Sequence, residues 1–206
     1  MKSIEILNKN LRASIAAKQE FLKQNIQFDI FDKAVQTVIK NYQLGGRLYI
    51  AGNGGSAADA QHLAAEFVSK LAKDRAPLAA EALTVDTSIL TAIGNDYGFE
   101  QVFSRQISGK MTSNDIFLGI TTSGQSLNIL NALDTCREMD IPSIIFTGHD
   151  GGPAKEKADF CIVASGEATS TIQELHIVLA HSLCECVEQA IFFINDSSLK
   201  EKKRVL

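Results

Sequence analysis

Apolar positions along the chain change their period twice. From residue 4 to about residue 45 they recur every three or four places: Ile4, Leu7, Leu11, Ile15, then Phe21 and Leu22, and again Ile30, Ala34 and Val38, with Tyr42 closing the run. That is helical spacing, and two such stretches predict a helical hairpin. Helices this short gain their stability from packing, so the hairpin must lie on the rest of the chain or on another subunit. The pattern then becomes short, β-rich apolar runs at 47–51, 79–85, 116–121, 143–147 and 160–164. The connections between them are long enough for a crossover helix or a shorter helical turn. Strand alternating with helix predicts an α/β fold: three layers, with a doubly wound parallel sheet of about five strands. The run Asp115-Ile-Phe-Leu-Gly-Ile is almost continuously apolar, as a central strand of such a sheet is. From 170 to 194 helical spacing returns through Ile172, Leu175, Val178, Leu179, Leu183, Val187 and Ile191, predicting one long closing helix. The tail at 197–206 is charged and reads as a frayed, solvated terminus. No repeat or linker divides residues 1–206, which read as a single domain including the hairpin at 1–45.

Composition changes this picture mainly by exclusion. A chain of 206 residues with 45% hydrophobic and 21% charged residues has the make-up of an ordinary folded domain. The net charge of −4 leaves no overall basic footprint for nucleic acid. No run approaches the ~20 apolar residues of a membrane span, and the first residues lack a signal-peptide pattern. The four cysteines, at 136, 161, 184 and 186, form no Cys-x-x-Cys pair and read as free thiols of a reducing compartment. The expectation is a cytoplasmic protein with neither a nucleic-acid nor a membrane partner.

Two loops carry candidate chemistry. In open parallel sheets, ligands sit beyond the carboxyl ends of the strands. Gly52-Asn53-Gly54-Gly55-Ser56 follows the first strand there and opens a helix near Ala57. Glycines admit close backbone approach, and a helix start presents free N–H groups. No Gly-Lys-Ser/Thr follows, so this is not a Walker A loop, and Ala57 takes the place of the third glycine of a dinucleotide fingerprint. A plain tight turn accounts for it equally well. Thr121-Thr122-Ser123-Gly124-Gln125-Ser126 again joins strand to helix. Its hydroxyls at a helix start suit a phosphate monoester without any Lys or Arg. The competing account is an N-cap, with Ser126 capping a helix that begins at Leu127. One hydroxyl caps a helix, and four exceed that need.

The chain has four histidines. His62 and Glu66 are i and i+4 and share a helix face, with Asp59 three residues earlier on the same side. On the closing helix, Gln173 and His181 diverge by ~80° and can share a broad face, whereas His176 and His181 diverge by ~140°. His62 with Glu66, plus Gln173 with His181, are chemically able to hold a divalent metal. They suit an acid–base pair equally well. They are also compatible with a surface His–Glu pair and a satisfied core histidine. His149, in Thr147-Gly-His-Asp-Gly-Gly, reads as a loop residue.

Taken together, these stretches resemble the phosphoheptose isomerases, members of the sugar isomerase (SIS) domain family. The resemblance is carried by 51–66, AGNGGSAADAQHLAAE, and 86–98, DTSILTAIGNDYG. It continues through Thr121–Ser126, Phe146-Thr-Gly148, and Ile172-Gln-Glu-Leu-His176 on to His181. It implies conversion of D-sedoheptulose 7-phosphate to D-glycero-D-manno-heptose 7-phosphate, the first step towards ADP-heptose. It implies a homotetramer, assembled partly through the hairpin at 1–45, with sites at subunit interfaces and one zinc per subunit. The zinc ligands it implies are His62, Glu66, Gln173 and His181. Substrate contacts would come from Asn53, Gly54, Ser56, Asp96 and Gln173, with Thr121, Thr122, Ser123 and Ser126 on the phosphate. Glu66 and His181 would be catalytic, through an enediol, and Asp59 would orient a histidine. Thr171 departs from the pattern, standing where many relatives have a basic residue. Two alternatives remain. One is a non-catalytic SIS adaptor for the bacterial replication initiator, against which Gly55 and His181 speak. The other is an isomerase of a pentose or hexose phosphate.

Overall fold

The computed structural model describes residues 2–193. The charged tail and Ile194 lie outside the described residues. Two helices come first, α1 (Ser3–Phe21) and α2 (Asn25–Gln43). The strands are β1 (Leu48–Gly52), β2 (Ala80–Ala82), β3 (Ile116–Ile120), β4 (Ser143–Gly148) and β5 (Phe160–Ala164). All pair in parallel, in the order β2-β1-β3-β4-β5. Between them run α3 (Gly55–Val68), α4 (Thr87–Asp96), α5 (Ser104–Lys110), α6 (Leu127–Glu138) and the single turn α7 (Ala154–Lys157). The closing helix α8 (Thr169–Glu188) continues into a π-helical turn at Gln189–Phe193.

The expected three layers are present. β1, β3 and β4 are buried along their whole length. One face of the sheet, through Ile50, Leu118 and Phe146, packs on α2, α3 and α8 through Val38, Phe67 and Leu179. The other, through Tyr49, Phe117 and Ile145, packs on α5 and α6 through Ile107 and Leu133. α8 is long and apolar enough to span a membrane by composition alone, yet Ile172, Leu175, Leu183 and Val187 are buried in the first of these clusters. It is the core helix of that layer.

The second strand is shorter than the run 79–85 suggests. It lies at the sheet edge, and after Ala82 only the Leu83 amide still bonds to the Ile50 carbonyl. Asp86 then accepts a 2.9 Å bond from the Ile89 amide and starts α4, which ends the extended backbone. The hairpin divides unequally. α2 buries Ala34, Val35 and Val38, whereas α1 buries only Ser14, Ala17 and Phe21 and leaves Ile4, Leu7, Leu11 and Ile15 in solvent. All four cysteines are free thiols.

The strand order fixes the position of the site. β1 connects outward to β2 on one side, and its other neighbour is β3. This reversal opens a crevice at the carboxyl ends of β1 and β3, where Gly52 pairs with Ile120. Both candidate loops leave the sheet there.

Candidate active site

The two loops line one cavity of about 300 Å³. Asn53, Gly54, Gly55 and Ser56 form one wall, and Thr121, Thr122, Ser123 and Ser126 form another. Gln173 and Thr169, from the start of α8, close the third side. Every lining residue is uncharged. An anion here would be met by hydroxyls, amides and the N-terminal ends of α3 and α6.

Local chemistry explains the loop shapes. Gly54 turns the chain with φ +56°, and a Cβ on Gly55 would come within 2.6 Å of the Gln173 amide. Gly124 has φ +65°, and a Cβ there would lie 2.0 Å from the Gly151 carbonyl oxygen. Ser126 occupies the N-cap position of α6, but its hydroxyl makes no capping bond. It faces the Thr121 hydroxyl at 3.3 Å instead. The hydroxyl that a capping bond would absorb is instead part of the cavity wall.

Asn53 is held by a reciprocal amide pair: its Nδ2 donates to Asn128 Oδ1 at 2.9 Å, and Asn128 Nδ2 donates back at 2.8 Å. Asn128 and Thr169 escaped the sequence reading. Neither belongs to a local pattern; Asn128 finds Asn53 only because β1 and β3 are neighbours.

The ionisable cluster stands further along α3. His62 Nε2 lies 3.1 Å from Glu66 Oε1, and His181 Nε2 lies 3.4 Å from His62 Nε2. All three ligand atoms fall within 4.8 Å of one another. A tetrahedral divalent metal with bonds of ~2.0–2.1 Å sets its ligand atoms ~3.3 Å apart. Two imidazole nitrogens and a carboxylate oxygen at these separations fit such an ion. Asp59, one turn before His62, is half-buried; burial pushes its carboxyl pKa up, and the neighbouring His62 pulls it down.

The remaining expected residues separate. Gln173 lies in the cavity wall beside Gly55, and among the described residues no hydrogen bond joins it to the three. Asp96 is exposed at the end of α4, where it accepts a 2.7 Å bond from Asn95, and it lines no part of the cavity. His176 points elsewhere, as its angular offset from His181 requires. It is fully buried, its Nε2 is 2.9 Å from the Thr147 carbonyl oxygen, and burial drives its pKa down to about 4. His149 sits in the loop after β4 with φ +56°. Thr171 is buried and faces Gly166.

Comparison with known proteins agrees with this geometry. The SIS domain family matches residues 11–148. The chain is 48% identical over 179 residues to phosphoheptose isomerase 2 of Campylobacter jejuni, covering 87% of this chain and 89% of the relative. It is 45% identical over 188 residues to the phosphoheptose isomerase of Aneurinibacillus thermoaerophilus, covering 91% and 95%. The solved structure of phosphoheptose isomerase from Neisseria gonorrhoeae superposes with a TM-score of 0.85 at 40% identity, covering 91% of this chain and 100% of that one. The chain is an isomerase that belongs to the SIS domain family, in the branch of the phosphoheptose isomerases.

Proposed function

We propose that the protein interconverts D-sedoheptulose 7-phosphate and D-glycero-D-manno-heptose 7-phosphate, the first step towards ADP-heptose. The observation that carries the reading is the convergence of His181 from α8 with His62 and Glu66 of α3, the helix whose N-terminus opens the uncharged cavity. Ser56 and His62 are six residues apart, ~9 Å along α3. That span is comparable to an extended seven-carbon chain. The phosphate binds against Thr121, Thr122, Ser123 and Ser126, and Asn53, Gly54, Ser56 and Gln173 hold the hydroxyls.

Glu66 removes the proton from C1 of the open-chain ketose and returns it to C2 on the same face. His181 takes the proton from the C1 hydroxyl and delivers one to the C2 oxygen, so the carbonyl moves from C2 to C1 through a cis-enediol. Asp59 orients His62. Zinc, one per subunit and held by His62, Glu66, Gln173 and His181, would supply Lewis-acid polarisation of the carbonyl. The match to a divalent ion rests on the donor set and spacing of His62, Glu66 and His181.

Asp96 stands apart from the cavity of its own chain, so we place it in the site of a neighbouring subunit of a homotetramer. The exposed apolar face of α1 and the absence of buried residues on α4 support that assembly. The four free thiols support a reducing, cytoplasmic location. The assembled triad and the relatives speak against the adaptor alternative. The relatives' names also favour a heptose over a shorter sugar phosphate.

The test is NMR of the purified protein with sedoheptulose 7-phosphate, with and without chelator. The aldose signal should appear only without chelator. Glu66→Gln and His181→Ala should each abolish turnover in a folded protein. Near-normal turnover by either variant defeats the assignment.

A further inference from the structure

Helix α3 and helix α8 carry the triad, and a buried ion pair joins their carboxyl ends. Arg75 and Glu188 side chains are 1% and 0% exposed, with Nε 3.0 Å from Oε2. The rest of the Arg75 guanidinium reaches the end of α3 and its own loop. Nη2 donates to the Glu66 carbonyl at 2.9 Å, and Nη1 donates to the Phe67 carbonyl at 2.7 Å and the Ala76 carbonyl at 3.0 Å. Glu188, the last residue of α8, also accepts from the Lys73 amide at 3.0 Å. One guanidinium therefore meets two carbonyls in the last turn of α3, those of Glu66 and Phe67. Its partner lies two helical turns beyond His181 on α8.

A fully buried pair seldom adds much stability, because desolvation offsets the attraction. What the pair does provide is a polar tie between the end of α3 and the last residue of α8, beside the apolar packing of the two helices. His62 and Glu66 are on one, His181 is on the other, and a metal or an acid–base pair tolerates little misalignment between them. We propose that Arg75 and Glu188 are positioning residues for the active site, clamping α3 to α8 so that Glu66 and His181 meet. Resting on the functional reading above, this extends the site to two residues in the loop after α3 and at the end of α8. Neither belongs to a recognisable motif.

The variant Arg75→Lys keeps the charge opposite Glu188 but loses the fork that reaches the Glu66 and Phe67 carbonyls. Glu188→Gln keeps an acceptor and removes the charge. Ile107→Ala, buried on α5 across the sheet, is the control for simple destabilisation. Each protein is titrated with Co²⁺ alone, followed by visible absorption, and assayed for kcat and KM.

Arg75→Lys and Glu188→Gln should bind Co²⁺ ~10-fold more weakly or worse, as loss of a group that orients metal ligands does. Their kcat should fall with KM little changed, while Ile107→Ala melts earlier with Co²⁺ affinity and kcat intact. If the two clamp variants match the control in affinity and kcat, the proposal is overturned. If either clamp variant does not fold, the other decides. Failure of the metal reading shows separately, as absent Co²⁺ binding by the wild type, and the kcat comparison then decides alone.

Discussion

At the scale of single residues, the site depends on groups whose neighbours leave no slack. Gly124 is the sharpest case, combining a left-handed φ of +65° with the Gly151 carbonyl oxygen 2.0 Å from any added Cβ. Gly124→Ala should cost about 1–3 kcal/mol from backbone strain. It should also raise KM ~10-fold if the shifted loop gives up one charge-assisted bond to phosphate. Melting curves and steady-state kinetics on the same preparation check both; an unchanged KM would remove the Thr121–Ser126 loop from phosphate binding. The His62–Glu66 spacing was legible in the sequence because i,i+4 neighbours need only one helix. The meeting with His181 was legible only as an open choice among metal, acid–base pair and packing. Asn128 and Arg75 were not legible at all, since each acts on a partner brought close by tertiary folding.

At the scale of elements, α8 is tied to β4 by His176, whose Nε2–H donates to the Thr147 carbonyl at 2.9 Å. Its pKa of about 4 lies below the ordinary value of 6.5. Between those two values the unfolded chain binds a proton that the folded one refuses. Stability from this group is thus complete above pH ~6.5 and falls as the pH drops towards 4, by about 3 kcal/mol across the whole window. His176→Gln retains a donor without a titration, so its urea midpoint should change less between pH 7 and pH 5 than the wild type's. Equal slopes for the two proteins would refute this. The alternation of strand and helix was readable because both faces of a parallel sheet are apolar. The ends of elements were less so. The run 79–85 looks like a long strand, but an edge position and the Asp86 cap stop it at Ala82. Position in the sheet is not written in a local pattern.

At the scale of the whole molecule, the hairpin is the part whose sequence and structure leave most to be satisfied. Its apolar stripe was plain from the spacing, yet half of that stripe faces solvent. Leu7 is 59% and Leu11 53% exposed. Contiguous apolar surface of this kind marks an association face. Leu7→Glu together with Leu11→Glu should reduce the molar mass in solution, read by light scattering after size exclusion, while the circular dichroism of the monomer fold is kept. An unchanged mass would remove α1 from the proposed homotetramer.

The uncharged lining of the cavity has a further consequence, for the kinetics of capture. Enzymes that gather anionic substrates with a funnel of Lys and Arg lose speed as salt screens the attraction. This chain carries a net charge of −4, and its cavity wall contains no cation to steer an arriving phosphate. By this charge balance, diffusional encounter gains no steering from the cavity wall. Raising the ionic strength should leave kcat/KM level or lift it slightly, with no fall between low and physiological salt. The expected signature is capture that does not slow as salt rises, unlike that of a cationic funnel.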